Sequence, residues 1–203
     1  MPEQKNKEFE LRGVNHLALV CKDMARTVDF YSNVLGIPLT KTIELPGGMG
    51  QHFFFDIGGG DSLAFFWFPE SPEQAPGVAS PARMVGEGSI ATAHGSMNHV
   101  AFDVAPEQME EYRERLLAKG IEVTEIVNHD TSPMQVSETV TDDVFVRSMY
   151  FFDPDGIMLE FAAWTRDLGL DEANLSGVGP AERDGYLEKQ REFIEALRRR
   201  SKK

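Results

Sequence analysis

The chain has 203 residues, 41% of them hydrophobic, which suffices to bury the core of one compact domain or of two closely paired modules. Its formal charge is −13 at pH 7, so phosphate backbones and anionic lipid surfaces repel it, and no nucleic-acid partner is expected. The one cysteine, Cys21, cannot close an intrachain disulfide, the first residues (MPEQKNKEFELRG) hold no apolar signal stretch, and no apolar run approaches the roughly 20 residues that span a bilayer, so a soluble cytoplasmic protein with no membrane partner is expected.

Residues 14–20, VNHLALV, are short and apolar and predict a strand. DMARTVDFYSNVL (23–35) opens on an Asp cap and repeats Met24, Val28, Tyr31 and Leu35 at helical spacing, with Gly36 where a C-terminal cap belongs. PLTKTIEL (38–45), QHFFFDIG (51–58) and SLAFFWF (62–68) predict three strands, the last two joined as a hairpin through GGGD. Together residues 13–68 form a β-α-β-β-β module. Residues 69–95 are rich in Pro, Gly, Ser and Ala without periodicity, and predict a linker or a lid.

A second module, 96–164, repeats the plan. MNHVAFDV (97–104) predicts a strand and PEQMEEYRERLLAKG (106–120) a helix that starts on Pro106 and ends on Gly120. IEVTEIV (121–127), FVRSMYFFD (145–153) and IMLEFAAW (157–164) predict strands, with a polar loop over 128–144 and a PDG turn before the last. The tail, 165–203, begins as loop and then places Tyr186, Gln190, Phe193 and Leu197 on one face of a predicted helix over 180–200.

The two modules carry the same landmarks. Asn15-His16 recurs as Asn98-His99 at an offset of 83 residues, and Phe-Phe-Asp occurs at 54–56 and 151–153. Histidines at equivalent places in duplicated first strands are candidate ligands, because module symmetry can bring them to one axis. Glu160 is the third candidate. It stands between Leu159 and Phe161 in an apolar strand, where an unpaired carboxylate is costly and a cation removes the cost.

NHLALV, NHVAFDV and YFFDPDGIMLEF resemble the vicinal oxygen chelate superfamily of glyoxalases, bleomycin resistance proteins and type I extradiol dioxygenases. The resemblance covers residues 13–164 and implies an α+β fold, two β-α-β-β-β modules forming a curled mixed-sheet cup around a divalent metal. It implies His16, His99 and Glu160 as metal ligands. The fourth ligand of glyoxalase I would fall at Ala64 or Phe65, neither of which binds metal, so that enzyme's four-ligand pattern is broken. Two histidines and a carboxylate suit Fe(II) with open positions, with Mn, Zn or Ni as alternatives.

The extradiol members have a Tyr ten residues before the ligand Glu, which matches Tyr150 as the catalytic group that bonds a substrate oxygen. The His expected nine residues before that Tyr is Thr141 here, and the nearby Asn position is Asp143. A general base would have to come from His52, His94 or His129. His94, five residues before His99 in the linker, is the catalytic candidate, since alternation directs His52 away from Tyr150 and His129 lies in a polar loop. The many aromatic strand residues suit a small aromatic or apolar substrate. An extradiol-type ring-cleaving dioxygenase, acting as a homodimer, is the expected function. The alternatives are a glyoxalase- or epimerase-like isomerase, lyase or hydrolase of the same fold, or a non-catalytic drug-binding protein.

Overall fold

A computed structural model of the chain describes residues 8–168, 172 and 183–200. The architecture is α+β, with two mixed sheets and few helices. In the first sheet β1 (His16–Val20) runs parallel to β4 (Asp61–Trp67), followed by antiparallel β3 (Gln51–Gly58) and β2 (Leu39–Glu44), in the order β1-β4-β3-β2. The second sheet repeats this order as β5 (Val100–Asp103), β9 (Met158–Trp164), β8 (Val146–Phe152) and β6 (Val127–His129), and adds the two-residue strand β7 (Val136–Ser137) at its edge.

The helix between β1 and β2 starts where the Asp cap predicts. Asp23 accepts hydrogen bonds from the amides of Ala25 and Arg26. The α-helical turns of α1 (Met24–Val28) then widen to π-helical turns over Asp29–Val34, and the chain leaves through Gly36 at φ +79°. Its counterpart α2 (Met109–Ala118) follows a 3-10 turn, Pro106–Gln108.

Period-two alternation decides which side chains are buried. From the first sheet Leu17, Leu19, Phe53, Phe55, Leu63 and Phe65 point to one side, and from the second Val100, Phe102, Met149, Phe151, Leu159 and Phe161 do the same. Both sets join Met24, Phe30 and Tyr31 of the first helical segment and Met109 and Leu116 of α2 in one continuous core. At about 1.5–3 kcal/mol per fully buried large apolar side chain, this shared core supplies the main stabilisation of the two-sheet body. Tyr31, fully buried, donates its hydroxyl to Asp153 at 3.1 Å and so ties the first module to the β8–β9 turn of the second. Each sheet therefore gives one face to a common core and leaves its other face outside that core.

Two expectations are corrected. The strand predicted over 121–127 is interrupted: Val123 makes an isolated bridge to Phe151, and regular pairing starts only at Val127. Between them Thr124 satisfies its groups differently, since its hydroxyl accepts the Tyr150 amide and its carbonyl accepts Arg113 Nε. The second correction is a register slip. Phe55 opposite Leu63 corresponds to Phe151 opposite Leu159, so the two Phe-Phe-Asp triplets are offset by one residue. This makes Ala64 the counterpart of Glu160 and puts His52 on the open face of its sheet rather than in the core.

Residues 69–95 run as an irregular strap, with Met84 and Val85 packed on Tyr150, Met158 and Phe152 of the second sheet. The two-sheet body ends at Asp167, and α3 (Arg183–Arg200) belongs to a separate compact unit. On α3, Tyr186 and Phe193 are exposed, Leu187 is half-buried, and the Lys189 ammonium lies 5.5 Å from the Tyr186 ring centre. The side chains of Ile194 and Leu197 lie outside the described residues, as does most of the predicted 165–179 loop.

Candidate metal centre on the second sheet

The spacing of ten residues between Tyr150 and Glu160 has a simple geometric meaning. The β8–β9 hairpin turns at Asp153–Gly156, and residues equidistant from it face one another, so Tyr150 and Glu160 are direct cross-strand partners. Leu159 and Phe161 enter the core, which sends Glu160 to the opposite face. There the side chain is only 7% exposed and its Oε2 lies 2.9 Å from His99 Nε2. The His99 ring meets Tyr150 edge-on at a centroid distance of 5.8 Å. Tyr150 Oη in turn stands 3.4 Å from His129 Nε2.

Hydrogen-bond chemistry assigns the His99 tautomer. The Ile90 carbonyl can only accept, so the Asn98 side-chain nitrogen, 2.6 Å away, is its donor. That leaves Asn98 Oδ1, an acceptor, 2.8 Å from His99 Nδ1. His99 Nδ1 must therefore carry hydrogen, and Nε2 is the nitrogen left to face Glu160. Two groups with lone pairs, 2.9 Å apart, require a positive centre: a proton in the free chain or a cation in its place. The spacing fits a cation, because two donors each about 2.1 Å from a metal and at right angles to it lie about 3 Å apart. The same outer hydrogen bond recurs at the other module, where His16 Nδ1 lies 2.8 Å from Asn15 Oδ1.

Burial pushes the Glu160 carboxyl up, but the hydrogen bond from His99, the nearby Ser148 hydroxyl and Tyr150 outweigh it and hold it below the ordinary carboxylate range. Burial and the Glu160 charge together push the Tyr150 phenol up to about 12, so it remains a hydroxyl that donates hydrogen. Ser148, fully buried beside both, has an Oγ with no hydrogen-bond partner of acceptable geometry.

The expected residues are thus brought together in part. His99, Glu160 and Tyr150 share one face. His16 lies exposed on the open face of the first sheet, its ring 5.6 Å from that of Phe54. Among the described residues no group of three or more His, Cys, Asp or Glu gathers to hold a metal, and of the three expected ligands only His99 and Glu160 meet within one chain. His94 sits exposed in a turn of the strap. The first sheet's open face carries an aromatic row, with His52 stacked on Phe66 at 3.6 Å and 4° and Phe66 stacked on Phe68 at 5.3 Å.

Sequence reasoning weighed His129 but set it aside as a loop residue, whereas it ends strand β6 (Val127–His129), and it gave no site role to Ser148, Asn98 or Met84. His129 comes to Tyr150 because β6 pairs with β8, a contact across 21 residues that no local pattern signals. Ser148 was findable, since it lies two residues before Tyr150 on a strand and therefore on the same face.

Comparison with known proteins agrees with the two-sheet fold. The family model described as the Glyoxalase/Bleomycin resistance protein/Dioxygenase superfamily matches residues 13–161. The chain is similar to the uncharacterised protein YwkD of Bacillus subtilis (strain 168), at 25% identity over 150 residues, 74% of this chain and 95% of that protein. Among solved structures it resembles SMU.1112c at 28% identity and TM-score 0.52, over 75% of this chain and 99% of that one. It also shares its fold with a glyoxalase/dioxygenase from Nostoc punctiforme, at 24% identity and TM-score 0.51, over 76% of this chain and 92% of that one.

Proposed function

The chain belongs to the Glyoxalase/Bleomycin resistance protein/Dioxygenase superfamily, and on that premise we propose that it is a metal-dependent enzyme for small molecules that chelate through two adjacent oxygens. The reading we favour is an extradiol-type dioxygenase acting on a small aromatic substrate with Fe(II). One observation carries it: Tyr150 lies directly across from Glu160 with its ring against His99, which puts a hydroxyl donor beside the two candidate ligands.

His99 and Glu160 would hold the metal from one chain. We assign the third position to His16 of a second copy. His16 faces outward on a sheet whose open face carries the half-buried aromatic row of His52, Phe54 and Phe66 with the exposed Phe68, and a homodimer that lays this face across the second sheet would join the three donors. The aromatic row then becomes the wall opposite Tyr150, suited to a flat ring.

When bound, the metal supplies Lewis acidity toward the paired substrate oxygens and a position for O₂. The chain's own groups do the rest. Tyr150, kept protonated, donates to one substrate oxygen and fixes the ring. His129, behind Tyr150, and the unpartnered Ser148 offer a proton acceptor and a further donor at the same end. Met84, Val85 and Phe152 exclude water beside them. His94, exposed in the strap, is assigned no contact in this arrangement and serves as a second candidate base only if the strap moves.

The test is anaerobic Fe(II) reconstitution followed by catechol, 3-methylcatechol and 2,3-dihydroxybiphenyl in an oxygen electrode. Oxygen uptake with a yellow ring-fission product supports the dioxygenase. A fully iron-loaded protein that consumes no oxygen with any of them refutes it and leaves the isomerase, lyase or hydrolase chemistry of the family.

A further inference from the structure

The strap over residues 69–95 is fastened to the candidate centre at two places. Met84, almost fully buried, and Val85 pack on Tyr150, Met158 and Phe152. Six residues after Met84, the carbonyl of Ile90 accepts the Asn98 amide at 2.6 Å. Asn98 spends its other end on His99 Nδ1 at 2.8 Å. The start of the strap is pinned separately, by the Glu73–Lys22 ion pair and by Gln74 lying tightly over Gly156. Between these anchors the backbone is irregular, with Pro76, Gly77, Pro81, Gly86 and Gly88.

We propose that Asn98 is a positioning residue that couples the strap to the metal ligand His99. The inference rests on the reading of His99 as a ligand given above. The repeat isolates the feature. Asn15 makes the same bond to His16, but among the described residues no strap carbonyl stands behind it. Asn98 therefore has a duty that its repeat partner lacks. It presents Nε2 by holding Nδ1–H, and the bond from its NH₂ group to Ile90 ties that orientation to the strap.

The consequence is reciprocal. A cation that fixes His99 fixes the Asn98 carboxamide, which in turn favours the strap position that seats Met84 and Val85 on Tyr150. A strap displaced from Tyr150 withdraws Ile90 and frees Asn98 to rotate, which loosens His99. Coupling of this kind is symmetric by thermodynamic necessity.

Two substitutions separate the two bonds. Asn98→Ala removes both. Asn98→Asp keeps an oxygen for His99 Nδ1–H and loses the donor to Ile90. The probe is Zn(II) alone, titrated into the full-length protein, with hydrogen exchange followed at two strap amides, Glu87 N–H (bonded to the Met84 carbonyl) and Ala93 N–H (bonded to the Val78 carbonyl). In the wild type, Zn(II) should slow exchange at both amides by about tenfold. Asn98→Ala should weaken Zn(II) binding by about 10–100-fold. Asn98→Asp should bind Zn(II) within a few-fold of wild type, yet the metal should no longer slow strap exchange. Exchange of the Phe55 and Leu159 amides, in the core, reports whether each variant is folded. Strap protection by Zn(II) that persists in Asn98→Asp, or wild-type affinity in Asn98→Ala, overturns the coupling while the metal site stands. A wild-type chain that binds no Zn(II) overturns the metal site and the coupling with it.

Discussion

The Asp153→Asn substitution tests how the two modules are joined. Asp153 opens the β8–β9 turn, where its Oδ1 accepts the amides of Asp155 and Ile157, each at 2.8 Å, and its Oδ2 accepts the Tyr31 hydroxyl at 3.1 Å. Only 5% of the residue is exposed. Burial raises its pKa, the bonds from Ile157, Tyr31 and Asp155 partly offset that, and the charge of Asp155 adds to the rise, leaving it at about 6 against an ordinary 3.8. The folded chain thus holds this proton more tightly than the unfolded chain. The stabilisation from protonated Asp153 is fully present below about pH 4 and is lost as pH rises to about 6. Two units correspond to about 3 kcal/mol. Because other carboxylates titrate in the same range, the quantity to measure is a difference. Urea unfolding of wild type and Asp153→Asn at intervals from pH 4 to 7 should show wild type losing about 2–3 kcal/mol relative to the variant between pH 4 and 6.5, then no further change. A difference that is flat across that range, or that moves in favour of wild type, would refute the reasoning.

Phe55→Ala should cost about 3–5 kcal/mol of unfolding free energy, because the ring is fully buried between Tyr31 and Phe65, and chemical denaturation measures it. Tyr150→Phe should leave metal binding intact and lower turnover of a catechol about 10²–10⁴-fold, read by oxygen uptake, since only the hydroxyl is removed. Metal loading should release protons, detectable as buffer-dependent heats in calorimetry, because the proton between His99 and Glu160 is displaced. Glu160→Gln should abolish that release together with the binding.

The sequence told more about the elements than about their partners. The two Asn-His pairs, the Asp23 cap and the Asp-Pro-Asp-Gly turn are local signals, and each marks an element that forms. Glu160 stood out in the sequence because a carboxylate between Leu159 and Phe161 has no inexpensive alternative, and the structure buries it beside His99. The register of the first module was not legible. Phe53, Phe54 and Phe55 are chemically alike, and the GGGD turn differs from Asp-Pro-Asp-Gly, so nothing in the string fixes which Phe faces Leu63. A one-residue slip was enough to misdirect His52. The contacts that most define the site, His129 with Tyr150, Met84 with Tyr150, and Asn98 with Ile90, depend on how β6 pairs and how the strap crosses the sheet. Those follow from tertiary packing and leave no periodic trace.

The central claim is a metal held by His99 and Glu160 of one chain and His16 of another. It is tested most directly by pairing two defective chains, His16→Ala and His99→Ala, under separate affinity tags and isolating dimers that carry both. Neither variant alone should bind Zn(II) stoichiometrically. In the mixed dimer one site loses both histidines and the other keeps its full set, so the account predicts about half the wild-type metal content per chain. Mixed dimers that hold no metal, while wild type holds one per chain, would contradict it.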